Sequence, residues 1–207
     1  VIRRKEVIDM LFNLLVLFSF LVVLLQLRRL VNILPSLLAC IMRGKENLNL
    51  EASVKLSRDR DLLAFAMIVP FCLVSIRYRL YYPGFLHGMS PESLLGIYFG
   101  IFFAYMFVRV ALMWLFRPKR MSKKTYSASH KASYSFFIIY TLVLLAIGAV
   151  MGVLDSPDSE IKNAMLWVSV SIYALFLIRK TQIFSTSCSI FTAFLYLCAL
   201  EILPTGI

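Results

Sequence analysis

Apolar residues in this chain come in unbroken runs long enough to approach the width of a bilayer, and that restricts the fold before any motif is read. Leu14-Leu-Val-Leu-Phe-Ser-Phe-Leu-Val-Val-Leu-Leu25 holds one polar residue in twelve, and the eighteen residues from Phe136 to Val153 hold no charge. A transmembrane helix needs about 20 predominantly apolar residues. Lipid offers no partner for exposed backbone groups, so a spanning segment is either a helix or part of a closed barrel. Barrel strands alternate apolar and polar residues over about ten positions; these Leu/Phe/Val runs do not alternate. The composition agrees. Of 207 residues, 60% are hydrophobic and 16% charged, against about 45–50% and 25% in soluble domains. The expected fold is all-α, a polytopic transmembrane helix bundle forming one domain over 1–207.

Six spans are expected, at 7–27, 62–77, 94–116, 135–154, 163–179 and 184–203. Pro70, near the middle of the second, predicts a kink there. Leu30 to Met42 is apolar but short and interrupted by Pro35, which suggests an interfacial helix at 30–42. The polar stretch Lys45 to Val54 either folds against the bundle or is a solvated connector. Ser90-Pro91-Glu92 reads as a helix start, with a capping hydroxyl, a first-turn proline and an acid at the positive helix end.

The net charge of +11 concentrates between the apolar runs, where it sets topology and meets anionic lipid headgroups rather than nucleic acid. Residues 28–61 hold seven Lys or Arg, residues 117–134 hold six, and Arg179 and Lys180 add two. The other side of a six-span arrangement holds Arg3, Arg4, Lys5, Arg77, Arg79 and Lys162. The positive-inside rule makes the first group cytoplasmic and both ends outward. Arg3-Arg4-Lys5 is an unfavourable start for an outward tail, and an upstream segment would resolve it.

Small residues recur every fourth position, as Gly96, Gly100 and Ala104 in one run and Gly148 and Gly152 in another. Such spacing clears a helix face for close packing, within the bundle or with a partner subunit. Ser185, Ser189, Thr192 and Tyr196 form a hydroxyl stripe at helical period. Two charges stand inside the runs. Arg109 lies about seven residues from the end of its span, roughly 10 Å deep, and either snorkels outward or is buried between helices. Glu201 lies near the opposite boundary, off the hydroxyl stripe and out of reach of Arg109. Asp9 is nearer to it in depth. Pro204 leaves the carbonyl of Leu200 without its helical donor. Glu201 could there bind a proton, a cation or a partner's cationic group, or be a helix-end acid among headgroups.

Cys40, Cys72, Cys188 and Cys198 read as small apolar fillers. His87 and His130 have no companions at ligand spacing, so neither metal nor cofactor is expected. No Gly-x-Ser-x-Gly or His-Glu-x-x-His occurs, and the Ser187-Cys188-Ser189 stretch has no nearby histidine. These features point away from catalysis.

Phe194-Leu-Tyr-Leu-Cys-Ala-Leu-Glu-Ile-Leu-Pro204 resembles the closing motif of a family of small polytopic inner-membrane proteins of Bacteroidetes. The order of other features is similar: a basic linker after the first span, an Arg ahead of Trp114, Tyr134-Ser-Phe-Phe137 opening the fourth span, and Ile178-Arg-Lys-Thr-Gln182 before the last. The resemblance implies location and architecture, not an activity. The expected function is a non-catalytic scaffold or accessory subunit of an envelope assembly with a membrane-protein partner. The alternative is a small transporter or lipid-carrier handler that uses Arg109 and Glu201.

Overall fold

The computed structural model describes residues 2–80, 91–115 and 123–185. They form seven helical segments and no strand: α1 (Ile2–Met42), α2 (Glu46–Ala52), α3 (Val54–Ala66), α4 (Ile68–Arg77), α5 (Pro91–Leu115), α6 (Lys123–Val153) and α7 (Asp158–Ser185). By length and apolarity, four stretches could cross a membrane: Leu14–Met42, Ser93–Leu112, Tyr126–Val153 and Asp158–Ser185. The all-α class holds, while the count of six does not transfer one for one.

Three expectations change. The segment 30–42 is not a separate helix, because α1 runs unbroken for 41 residues through Pro35. One missing N–H costs a single bond, and the turns around it keep theirs. The span at 62–77 is two pieces meeting at Met67. The ring of Pro70 clashes with the carbonyl four residues back, which is that of Ala66; the break falls there, one turn before the proline itself. The span at 163–179 extends to 158–185, so its neighbour at 184–203 begins inside α7 and otherwise lies outside the described residues. The start of α5 at Pro91 matches the reading of its first turn.

The long helices take their directions from cross-contacts. Beside α6, the α3–α4 pair runs parallel: Lys131 meets Ser57, Ile138 clusters with Leu63 and Met67, Phe71 lies against Phe137 and Tyr140, and a Cβ at Gly148 would meet Tyr78. Helix α7 runs antiparallel to α6, with Met165 beside Gly148, Ser169 bonded to Tyr140 at 2.7 Å and Phe176 against Phe136. Two cores result. One joins Leu30, Ile33, Leu37 and Cys40 of α1 to Leu50, Leu63, Met67 and Ile138. The other joins Leu80, Leu144, Ile161 and Met165.

At the Gly148 end, α4 and α6 stop in the same way. The amide of Leu80 donates to the Ser75 carbonyl and that of Arg79 to Ile76; Ser156 and Asp155 repeat the pattern onto Met151 and Gly152. Arg79 and Asp155 take the left-handed conformation, with φ of 48° and 50°. This is the Schellman closure usually given to glycine. Here two non-glycine residues adopt it, at a cost of about 1–2 kcal/mol each.

Candidate functional site

Among the described residues, the charged side chains that the fold buries gather toward the Lys131 end. Helix α2 is the polar stretch that could have been a solvated connector. Asn47 and Leu50 are buried against its neighbours, which leaves Glu51 facing inward at the end of α2. Its carboxylate accepts from Ser57 at 3.1 Å and Arg60 at 3.0 Å on α3, and from Ser127 at 2.9 Å and Lys131 at 3.0 Å on α6. Asp61 takes two bonds from Arg60, at 3.0 and 2.8 Å, and faces Lys131 at 3.3 Å. Arg60 is wholly inaccessible. Two acids thus balance two cations. Burial pushes the Glu51 carboxyl up, but the hydrogen bonds from Lys131, Arg60 and Ser127 outweigh it and hold the carboxyl below its ordinary value.

A second group surrounds one aromatic ring. Arg109, on α5, is 7% exposed, and its guanidinium lies 5.9 Å from the centre of Phe176. Lys180 is 1% exposed, with its ammonium 5.4 Å from the same ring and 5.9 Å from Phe184. Phe176, Lys180 and Phe184 are four residues apart, so helical geometry stacks them on one face. The electron-rich face of a ring offsets part of the cost of burying a cation, by up to about 2 kcal/mol when water is excluded. Of the two dispositions open to Arg109, burial between helices is the one observed.

Of the residues singled out from sequence, the fold brings Arg109 into a buried setting. Tyr196, Glu201 and Pro204 lie outside the described residues, as do Asp9's side chain, His87, Cys188 and Cys198. Cys40 and Cys72 are buried thiols far apart in the chain, as fillers should be. His130 packs edge-on to Tyr134. No group of three His, Cys, Asp or Glu among the described residues could hold a metal.

The small-residue motifs divide. A Cβ placed on Gly148 would come within 3.3 Å of the Met165 methyl and 3.5 Å of the Tyr78 ring. Among the described residues, the same atom on Gly96, Gly100 or Gly152 would meet nothing within 4 Å. Ala104 is exposed as well.

Sequence reasoning passed over Arg60 and Lys180, counting both as loop cations. For Lys180 a signal existed: it stands midway between two phenylalanines inside one continuous apolar helix. The partners of Arg60 on its own segment, Glu51 and Asp61, were visible; its link through Glu51 to Lys131 was not.

The chain matches the family model described as "Domain of unknown function (DUF4271)" over residues 8–207. It belongs to that family. None of the curated proteins compared with it matches, and no solved structure matches either.

Proposed function

We propose that this DUF4271 protein is an integral protein of the bacterial inner membrane that acts as a non-catalytic accessory subunit of a cell-envelope assembly. The observation that carries the reading is the open face of α5, where none of the described residues stands within 4 Å of a Cβ at Gly96 or Gly100. Two glycines one turn apart on an apolar helix permit close backbone approach, and among the described residues that approach is used by Gly148 alone of the four motif glycines. A partner's transmembrane helix would use it at Gly96 and Gly100. The likeness of the closing motif to inner-membrane proteins of Bacteroidetes supports the location. The basic stretches 28–61 and 117–134 are cytoplasmic in this reading.

Purification in mild detergent followed by mass spectrometry should recover a stoichiometric membrane partner. Gly96→Leu and Gly100→Leu together should release that partner while leaving thermal stability unchanged. Recovery of a homogeneous lone chain from native membranes would overturn the proposal.

Arg109 and Lys180 support a second reading, in which the chain handles an anionic lipid carrier at the Phe176 ring. Reconstituted lipid translocation that falls on Arg109→Ala, and survives Gly96→Leu with Gly100→Leu, would favour it over the first.

A further inference from the structure

Two helices carry mirror-image stripes on their outer faces. On α3, Lys55, Arg58, Leu62 and Phe65 are all exposed and step by three, four and three residues, so they share one face at helical period. The opposite face carries Ser57, Arg60 and Ala64, all buried. On α1, Leu17, Leu21, Leu24 and Arg28 are exposed and step by four, three and four. The order of charge and hydrocarbon is reversed between the two. The helices meet where Arg29 lies 4.0 Å from Asp59, which sets Arg28 and Arg58, their immediate neighbours, at one level. From that level Leu62 and Phe65 extend along α3, and Leu24, Leu21 and Leu17 along α1, toward the apolar middle. Phe65 is seven residues from Arg58, about 10 Å at 1.5 Å per residue.

Charge at this level is also sorted between inside and outside. Glu51 and Asp61 are engaged by Arg60 and Lys131, and Asp59 faces Arg29. Glu46 accepts from Asn49 on its own helix. No carboxylate pairs with Arg28, Lys55 or Arg58 among the described residues, and all three point outward. An exposed cation beside exposed leucines suits one neighbour above others: a lipid whose phosphate is anionic and whose chains cover the apolar stripe.

We propose that Arg28, Lys55 and Arg58 form a docking surface for the headgroups of anionic phospholipids, and that their level marks the edge of the hydrocarbon. The inference rests on the membrane-spanning reading above and adds a lipid class and a depth to it. Residues 30–42 of α1 then lie along that edge. The contact of the Ile41 carbonyl with Arg179 of α7, at 2.6 Å, fits this course. Antiparallel pairing puts α7 residues 179–180 beside the Lys131 level of α6, the same level reached by Asp61 and Ser57. So both ends of the 29–41 stretch sit near one plane, and the stretch runs along the bundle end rather than deeper through it.

The test uses the full chain in nanodiscs of dioleoylphosphatidylcholine with or without dioleoylphosphatidylglycerol. Native mass spectrometry should show phosphatidylglycerol retained preferentially by the unaltered protein. The combined variant Arg28→Gln, Lys55→Gln, Arg58→Gln should lose that preference by roughly tenfold or more, whereas Arg77→Gln should not. Equal retention by the unaltered and triple-variant proteins overturns the proposal. A nitroxide label at position 65 should be quenched by oxygen, and one at position 55 by a water-soluble nickel chelate. The reverse pattern overturns the depth assignment even if the triple variant fails to fold. Failure of the unaltered protein to enter discs at all would instead remove the membrane-spanning reading and the docking surface with it.

Discussion

At the Lys131 end of the bundle, opposite charges are drawn inside and shared among three helices. At the Gly148 end, the ion pair between Arg77 and Asp158 lies on the surface. Arg60 bonds two acids while wholly inaccessible; Arg77 and Asp158 stand 3.5 Å apart with both side chains more than half exposed. The difference follows from what each end must close. Helices α2, α3 and α6 converge where the chain is richest in cations, and only inward-facing carboxylates let them pack. At the other end the turns close through backbone bonds onto Ser75 and Met151, and interhelix packing is apolar. One end is therefore held by electrostatics in low dielectric, the other by hydrocarbon fit, and substitutions should separate them.

The largest effect is expected for Arg60→Met. It takes one of the two described cations from Glu51 and Asp61 and leaves Lys131, and breaking a buried pair by removing one partner costs about 3–5 kcal/mol. Thermal unfolding in detergent should show a large fall or a chain that does not fold. Replacing Arg60, Glu51 and Asp61 together by apolar residues should recover part of the loss. The next effect belongs to the apolar end. Gly148→Leu forces a side chain into the space of Met165 and Tyr78 and should cost about 1–3 kcal/mol, while Gly152→Leu, one turn further on, should leave the melting temperature unchanged.

Acid should act on the Lys131 end. Because the folded-state carboxyl of Glu51 sits below its ordinary value, its contribution is fully present above the unfolded value near 4.3 and is lost as pH falls through the folded value. Unfolding followed from pH 7 to pH 3 should show this loss, and Glu51→Gln should be less stable at neutral pH and flatter in acid. Equal acid slopes in the two proteins would detach the network from stability. The smallest effect is Arg77→Ala, for which an exposed pair predicts about 0–1 kcal/mol, vanishing at high salt.

The class of fold was legible because membrane helices declare themselves by length and apolarity; α5 lies close to its expected span, while α6 begins 12 residues ahead of its own and α7 runs beyond its own at both ends. The break at Met67 was foreshadowed by Pro70, although its position needed the carbonyl clash to be counted back four residues. Pro35 misled in the other direction, since a proline can sit in a long helix when the turns around it keep their bonds. Pairings were less legible. Glu51 meets Ser127 across 76 positions, and no local pattern encodes that. The small-residue motifs show the same limit: Gly100 and Gly148 look alike in sequence, yet among the described residues only Gly148 of the two has a neighbour close enough to exclude a side chain.

The bond from Arg179 to the Ile41 carbonyl spans 138 residues of chain, and that separation is also an interval of time. A ribosome adding about 5–20 residues per second delivers Arg179 roughly 7–28 s after Ile41. Lys131 reaches Glu51 earlier, but still well after α3 has been made. For that interval α1, α2 and α3 exist as an incomplete assembly whose inward acids lack half of their cations. The surrounding bilayer, or whatever machinery inserts the chain, must shelter this half-built end until α6 and then α7 arrive, so the order of synthesis is itself a constraint on which partial structures the protein can survive.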